Sequence, residues 1–352
     1  MFTFTYEQLP GRVVFGPGKL ASINDEIERL GGNRILVVTT PEQQEQGEQL
    51  RALIKDRFTT AFNRAAMHVP VEIANEAREA AQEAGIDCVI SIGGGSTTGL
   101  AKALRLHLDL EHIAIPTTYA GSEMTPVWGL TEDGIKTTGR DLRVLPSTVI
   151  YDVDLTLSLP PAIAGPSGIN AIAHCVEALY SPNANPVTSL IAEEGIRALS
   201  RNLPQVINEL DNREARAQTQ YGAWLAACAM AAVGMALHHK LCHTLGGSFG
   251  LPHAETHTII LPYATRYNAE AAPEAMARIR RAMNTDDAAG GLYDLNRAIG
   301  ASVALRDLGF QEKDIDRAAE LATQKAYPNP APITYEGIRA LLKDAWEGTR
   351  PS

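Results

Sequence analysis

A chain of 352 residues, 45% hydrophobic and 20% charged, has the make-up of a globular protein and the length for two domains of ordinary size. Its net charge of −10 argues against a nucleic-acid partner, which demands a basic surface. The four cysteines, Cys88, Cys175, Cys228 and Cys242, show no C-x-x-C spacing, which argues against a disulfide framework or a thiolate zinc site and suits a reducing cytoplasm.

In chain order, residues 1–11 lack a basic segment followed by an apolar core, and no later run approaches the ~20 apolar residues that span a bilayer, so no membrane partner is expected. Up to about Asp152, short β-branched runs alternate with helical periodicity. Strands are predicted over 34–38, 88–92 and 112–115, and helices over 42–57, 71–84 and 97–108. That alternation implies a parallel sheet covered on both faces. Beyond Leu159, Pro160 and Pro161 strand signals almost vanish. Helical periodicity occupies 162–180, 187–199, 213–237, 274–283, 292–308 and 312–326. The expected fold class is an α/β domain with a parallel sheet over residues 1–159, followed by an all-helical domain over 160–352. The apolar run 223–237 contains Trp224 and Gly234 and leads into histidines, which predicts a buried helix. The polar tail after Trp346 is expected to fray.

Two loops of the first half can hold a ligand. Strand 88–92 runs into Gly93, Gly94, Gly95, Ser96, Thr97 and Thr98, with Lys102 on the helix that follows. Glycines at a strand-to-helix turn let backbone amides approach a phosphate, and the helix N-terminus adds positive potential. The spacing matches neither G-x-G-x-x-G nor G-x-x-x-x-G-K-[ST], and a plain tight turn explains it equally well. The second loop, 116–123, follows the neighbouring strand, so both open on the carboxyl edge where α/β proteins bind ligands. Hydroxyls of Thr117, Thr118 and Ser122 can bond phosphate or ribose oxygens, local turn capping being the plain alternative. Tyr119 and Glu123 also fit as ordinary loop residues.

The second half concentrates imidazoles. His239 and His243 are four apart, as are Asn170 and His174, so each pair shares a helix face. His253 is expected on the loop that follows, and His238 and His257 read as exposed and structural. The set looks like a metal site with one ligand altered, because Asn170 offers a neutral amide where an anionic Asp would be the hard ligand beside three imidazoles. For any one histidine, a satisfied interior ring is the plain alternative.

Residues 14–20 (VFGPGKL), 93–102 (GGGSTTGLAK), 116–126 (PTTYAGSEMTP) and 245–253 (LGGSFGLPH) together resemble the iron-containing (group III) alcohol dehydrogenase family. The resemblance implies a nucleotide-binding α/β domain, a helical domain and a homodimer, here through the extended segment 2–6 pairing at an edge. It places the family's metal ligands at Asn170, His174, His239 and His253, and a further active-site histidine at His243. Residues 39–43 (TTPEQ), 116–132, 136–146 (KTTGRDLRVLP) and 327–330 (YPNP) are similar to the branch that reduces the double bond of maleylacetate to give 3-oxoadipate in aromatic-compound degradation. Gly99 and Asn170 stand where the wider family carries Asp, and that branch is held to work without metal.

The likeness thus implies NADH or NADPH as cofactor, no metal, and a small dicarboxylate substrate. His243, His253, His174, His239 and Asn170 are the expected catalytic set. Thr39, Gly94, Gly95, Ser96, Thr117, Thr118, Ser122 and Lys136 are expected at the cofactor, with Thr39 able to bond a 2′-hydroxyl or a 2′-phosphate and so to permit either nucleotide. Tyr119, Arg140 and Phe249 are expected at the substrate. A metal-dependent alcohol dehydrogenase acting on a carbonyl or alcohol is the competing expectation, with a lyase of dehydroquinate synthase type and a non-catalytic nucleotide-binding protein further behind.

Overall fold

The computed structural model describes residues 3–7, 9 and 11–351. The chain divides into two compact units, residues 9–159 and residues 160–352, with the described part of 1–8 grouped with the second. Residues 3–7 adopt no strand within the chain, and Phe2 lies outside the described residues.

The first unit runs β1 (Arg12–Gly16), α1 (Ile23–Leu30), β2 (Ile35–Val38), α2 (Gln44–Ile54), β3 (Phe58–Phe62), α3 (Val71–Glu83), β4 (Cys88–Gly93), α4 (Gly95–Arg105), β5 (Glu111–Pro116), β6 (Val127–Glu132), β7 (Ile135–Arg140) and β8 (Thr148–Asp152). Six strands form one parallel sheet in the order β1-β8-β5-β4-β2-β3, while β6 and β7 pair as a separate antiparallel hairpin. Side chains alternate across each strand. Ile35 and Val37 of β2 and Ile90 of β4 therefore enter one core with Ile27 of α1 and Leu50 of α2. Leu36, Val38 and Val89 enter the other with Ala77 of α3 and Leu100 of α4. Covering on both faces is what the near-continuous apolar runs of a parallel sheet require. The sequence pattern missed β1 and β3 because both are edge strands with mostly half-exposed residues, and their apolar signal is thin. The hairpin and the five-residue strand β8 also escaped it.

The chain lays β3 on one side of β2 and β4 on the other. A topological switch point therefore lies beyond the carboxyl ends of β2 and β4, the place where open α/β sheets bind ligands. Gly93, the last residue of β4, has φ +142°, and a Cβ there would sit 2.1 Å from Gln43 Oε1 and 2.9 Å from Thr97 Oγ1. The turn accepts glycine for both reasons. On α4, the fully buried Lys102 Nζ donates to the carbonyls of Ser122 at 2.6 Å and Val127 at 2.9 Å and bonds the Thr125 hydroxyl at 3.1 Å. Burial pulls this amine down to about 7, opposed by the charge of Glu123. One side chain thus clamps the segment after β5 onto α4.

The second unit is helical: α5 (Pro161–Tyr180), α6 (Pro186–Asn208), α7 (Arg213–Ala232), α8 (Leu237–Phe249), α9 (His253–Asn268), α10 (Pro273–Met283), α11 (Ala288–Ala298), α12 (Ile315–Thr323) and α13 (Tyr335–Glu347). Side chains cap several starts as helix chemistry predicts: Asn185 accepts from Thr188 N, Asn212 from Ala215 N and Asp287 from Gly290 N. The run read as one helix over 213–237 is broken. Helix α7 stops at Ala232, α8 begins at Leu237, and their axes differ by 95°. Among the described residues no single helix is long and apolar enough to cross a membrane. The tail is docked rather than frayed, since Arg350 pairs with Asp294 at 2.8 Å and Tyr293 donates to Gly348 O.

Replacing Gly93 with Ala is expected to lower unfolding stability by about 1–3 kcal/mol, because a Cβ in this conformation is strained and meets Gln43. Urea unfolding of the variant and the parent checks it.

Candidate active site

Three turns meet at the carboxyl edge of the sheet. From the turn after β2, Gln43 Nε2 donates to Thr117 Oγ1 at 3.0 Å, and Thr117 N donates to Gly93 O at 2.8 Å. A Cβ on Gly94 would lie 3.1 Å from the side chain of Thr118, whereas one on Gly95 would meet nothing closer than Ala120 at 3.9 Å. Helix α4 begins at Gly95 with no side chain capping it, so its first-turn amides are the orphan donors that an anion takes up. The structure therefore brings Gly94, Gly95, Ser96, Thr117 and Thr118 together beside the switch point. Gln43, which no site expectation included, holds two of these turns together, and the signal for it was its position three residues after Thr40 in the loop following β2.

The other residues expected at the cofactor have partners within the fold or lie elsewhere. Thr39 is fully buried, with its hydroxyl donating to Asn63 Oδ1. Ser122 gives its carbonyl and hydroxyl to Lys102. Lys136 lies on β7 of the hairpin, where its stem passes over Gly129, and not on the carboxyl edge of the six-stranded sheet. Among the expected substrate contacts, Tyr119 is wholly buried and Arg140 is an exposed residue of β7. Phe249 packs edge-to-face on Phe310, 5.3 Å between centroids, as part of a core.

In the helical unit the imidazoles do assemble. Helix α5 carries Asn170, His174 and Glu177, spaced so that they share a face. Helix α8 carries His238, His239 and His243. After Gly250 closes α8 in the left-handed conformation, α9 starts at His253, which is its first residue and not a loop residue, with His257 one turn on. His174 stacks on His239 at 5.0 Å, His239 meets His257 at 4.8 Å, and His253 meets His257 at 4.2 Å. His243 and His253 lie nearly parallel, 6.3 Å apart and 14° between planes. His238 and His257, expected to be exposed, are both fully buried inside this cluster.

Glu177 is the acid that joins them. Its Oε2 accepts from Ala236 N at 2.9 Å and from His239 Nδ1 at 2.7 Å, and its Oε1 from His238 N at 2.7 Å. The sequence signal for it was the spacing of three from His174. Burial raises Glu177, opposed by electrostatic attraction to the His238 ring and by the backbone amides. Burial likewise pushes His238 and His239 down to about 3, helped by neighbouring rings, and drives His174 and His257 well below the ordinary imidazole range. These four are neutral rings, whereas His243 and His253 are exposed to water. Buried without a hydrogen-bond partner are Asn170 Oδ1, His174 Nδ1, His239 Nε2 and both nitrogens of His257.

Residues 10–153 match the family described as iron-containing alcohol dehydrogenase, and residues 165–346 the Fe-containing alcohol dehydrogenase family, C-terminal. The chain is 52% identical over 348 residues to a maleylacetate reductase of Sphingobium indicum, covering 99% of each chain. It is 50% identical over 352 residues, all of both chains, to one of Burkholderia cepacia. The crystal structure of maleylacetate reductase from Agrobacterium tumefaciens superposes with a TM-score of 0.97 over the whole of both chains, at 49% identity.

Neutral buried rings make the fold acid-labile. His238 and His239 titrate near 6.5 when unfolded and about 3 when folded, so between those values the unfolded chain binds more protons and stability falls as pH falls. Each ring contributes about 1.4 kcal/mol per pH unit in that window. The urea midpoint is expected to drop clearly between pH 7.5 and pH 5, and a flat profile would show that these rings are not held neutral.

Proposed function

The chain belongs to the iron-containing alcohol dehydrogenase family, and from that premise we infer that it is an oxidoreductase reducing the double bond of maleylacetate with a reduced nicotinamide cofactor. The observation that carries the reading is the gathering of six imidazoles beside Asn170, with Glu177, the carboxylate that reaches them, already occupied by three donors. That surrounding withholds from a dication its anionic ligand, and leaves the exposed His243 and His253 as the donors for a carboxylate.

The partnerless atoms Asn170 Oδ1, His174 Nδ1 and His239 Nε2 are donors of the kind a metal takes. Three imidazoles can hold zinc, but non-haem iron(II) sites pair their imidazoles with an anionic carboxylate, and position 170 supplies an amide. The donor set does not fit the iron site for which the family is named, and no step of the reaction is routed through a metal.

The nucleotide fits the α/β unit. We assign its pyrophosphate to Gly94, Gly95 and Ser96 at the start of α4, with Thr117 and Thr118 bordering it. The charged side chain in the turn after β2 is Glu42, which is exposed. A carboxylate in that turn repels a 2′-phosphate, so NADH is favoured over NADPH.

A bound reduced nicotinamide supplies a hydride to the alkene carbon β to the ketone. The π electrons move onto the ketone oxygen as an enolate, and a proton at the α carbon completes 3-oxoadipate. Developing charge on that oxygen needs a cationic donor, and the carbon needs an acid. His243 and His253 take these tasks, because an imidazole open to water can carry charge without the cost of burying it. The neutral rings of His174 and His239, with Asn170, orient the substrate. Lys136 and Arg140 add positive charge on their hairpin and receive no further role. A homodimer in the cytoplasm accords with the family likeness and with buried thiols at Cys88, Cys175 and Cys242.

Purified protein is expected to oxidise NADH in step with maleylacetate at a rate unchanged by EDTA, with kcat/KM higher for NADH than for NADPH. Loss of activity to chelator with recovery on adding iron or zinc, or turnover of simple alcohols in its place, decides for the metal-dependent alternative. His243→Ala is expected to lower kcat by about 10²-fold; steady-state kinetics at saturating NADH reads it.

A further inference from the structure

Two independent hydrogen bonds specify which nitrogen of His239 carries its proton. His238 Nε2 lies 2.9 Å from the carbonyl oxygen of His257. A carbonyl only accepts, so His238 is protonated at Nε2, and its Nδ1 is left with a lone pair. That lone pair faces His239 Nδ1 at 3.3 Å. From the other side, Glu177 Oε2 lies 2.7 Å from the same His239 Nδ1. Both neighbours are acceptors, so His239 Nδ1 must be the donor. Its Nε2 is then a bare lone pair, buried and with no protein partner.

We propose that Glu177 is a positioning residue: it holds His239 in the Nδ1–H form, so that His239 meets the ligand only as a hydrogen-bond acceptor and the reaction's proton comes from another group. The carboxylate is itself held in place, because its two oxygens also take the amides of Ala236 and His238 at the start of α8. One side chain from α5 thereby sets where α8 begins and how its first inward ring is turned. The geometry excludes His239 as the acid and leaves that role to the exposed pair, His243 and His253. A buried acceptor beside the stacked ring of His174 suits a hydroxyl hydrogen, such as that of the substrate's enol form or of a water bound with it.

The kinetic part of this inference rests on the maleylacetate reductase reading, while the tautomer does not. Neutron diffraction from crystals of the deuterated wild-type protein tests the tautomer directly. Deuterium is expected on Nδ1 of His239 and on Nε2 of His238, and deuterium on Nε2 of His239 overturns the proposal whatever the enzyme's substrate. The second measurement is the kinetics of Glu177→Gln, whose amide cannot accept all three donors. It is expected to lower kcat by about 10- to 100-fold while KM for maleylacetate and for NADH moves by less than about threefold. A variant with wild-type kcat, or one whose loss is entirely in KM, would assign Glu177 to starting the helix and nothing more.

Discussion

A single buried carboxylate organises the helical unit. Helices α7 and α8 meet at a sharp bend, and a helix that starts in the interior exposes amides that need acceptors. Glu177 supplies them from α5. Leaving such donors unpaired costs about 1–3 kcal/mol each, so the bend and the acid depend on one another. Once α8 begins at Leu237, His239 and His243 project one turn apart on the same face, and His238 turns to the carbonyl of His257 on α9. The imidazole cluster is therefore a consequence of where one charge is buried.

The α/β unit uses the same device with the opposite sign. Lys102, fully buried on α4, is surrounded by carbonyl and hydroxyl oxygens of the segment after β5. Gly93 allows the end of β4 to approach Gln43, and Gln43 reaches Thr117 across the sheet edge. The loops beside the switch point are thus tied to each other and to the helix behind them. A binding surface built from backbone amides needs this support, since loops have no core of their own to hold their shape.

The electrostatic character of the histidine cluster follows from burial rather than from composition. The chain is acidic overall, yet the cluster presents neutral rings inside and two water-exposed rings outside. Position 170 supplies an amide to it, where an Asp would supply a carboxylate. With Asn there, the cluster has no carboxylate of its own beyond Glu177, which is occupied by three donors.

Much was legible in the sequence because it depends on local pattern. Alternating and helical periodicities located the sheet-forming half and the helical half, the i, i+4 pairs located His174, His239 and His243, and the glycines after β4 located the strand-to-helix turn at the switch point. Edge strands β1 and β3 were not legible, since half-exposed strands carry little apolar signal. Neither was the division of 213–237 into two helices, because local propensity favours a continuous helix and the break is stabilised by Glu177, some 60 residues earlier in the chain. The commitments of Thr39 to Asn63, of Ser122 to Lys102 and of Phe249 to Phe310, and the burial of His238 and His257, were likewise decided by distant partners. Which side chains the chain carries, and at what spacing, is a property of the sequence alone. Which of their polar atoms stay open to a ligand depends on partners that only the folded chain brings within hydrogen-bonding distance.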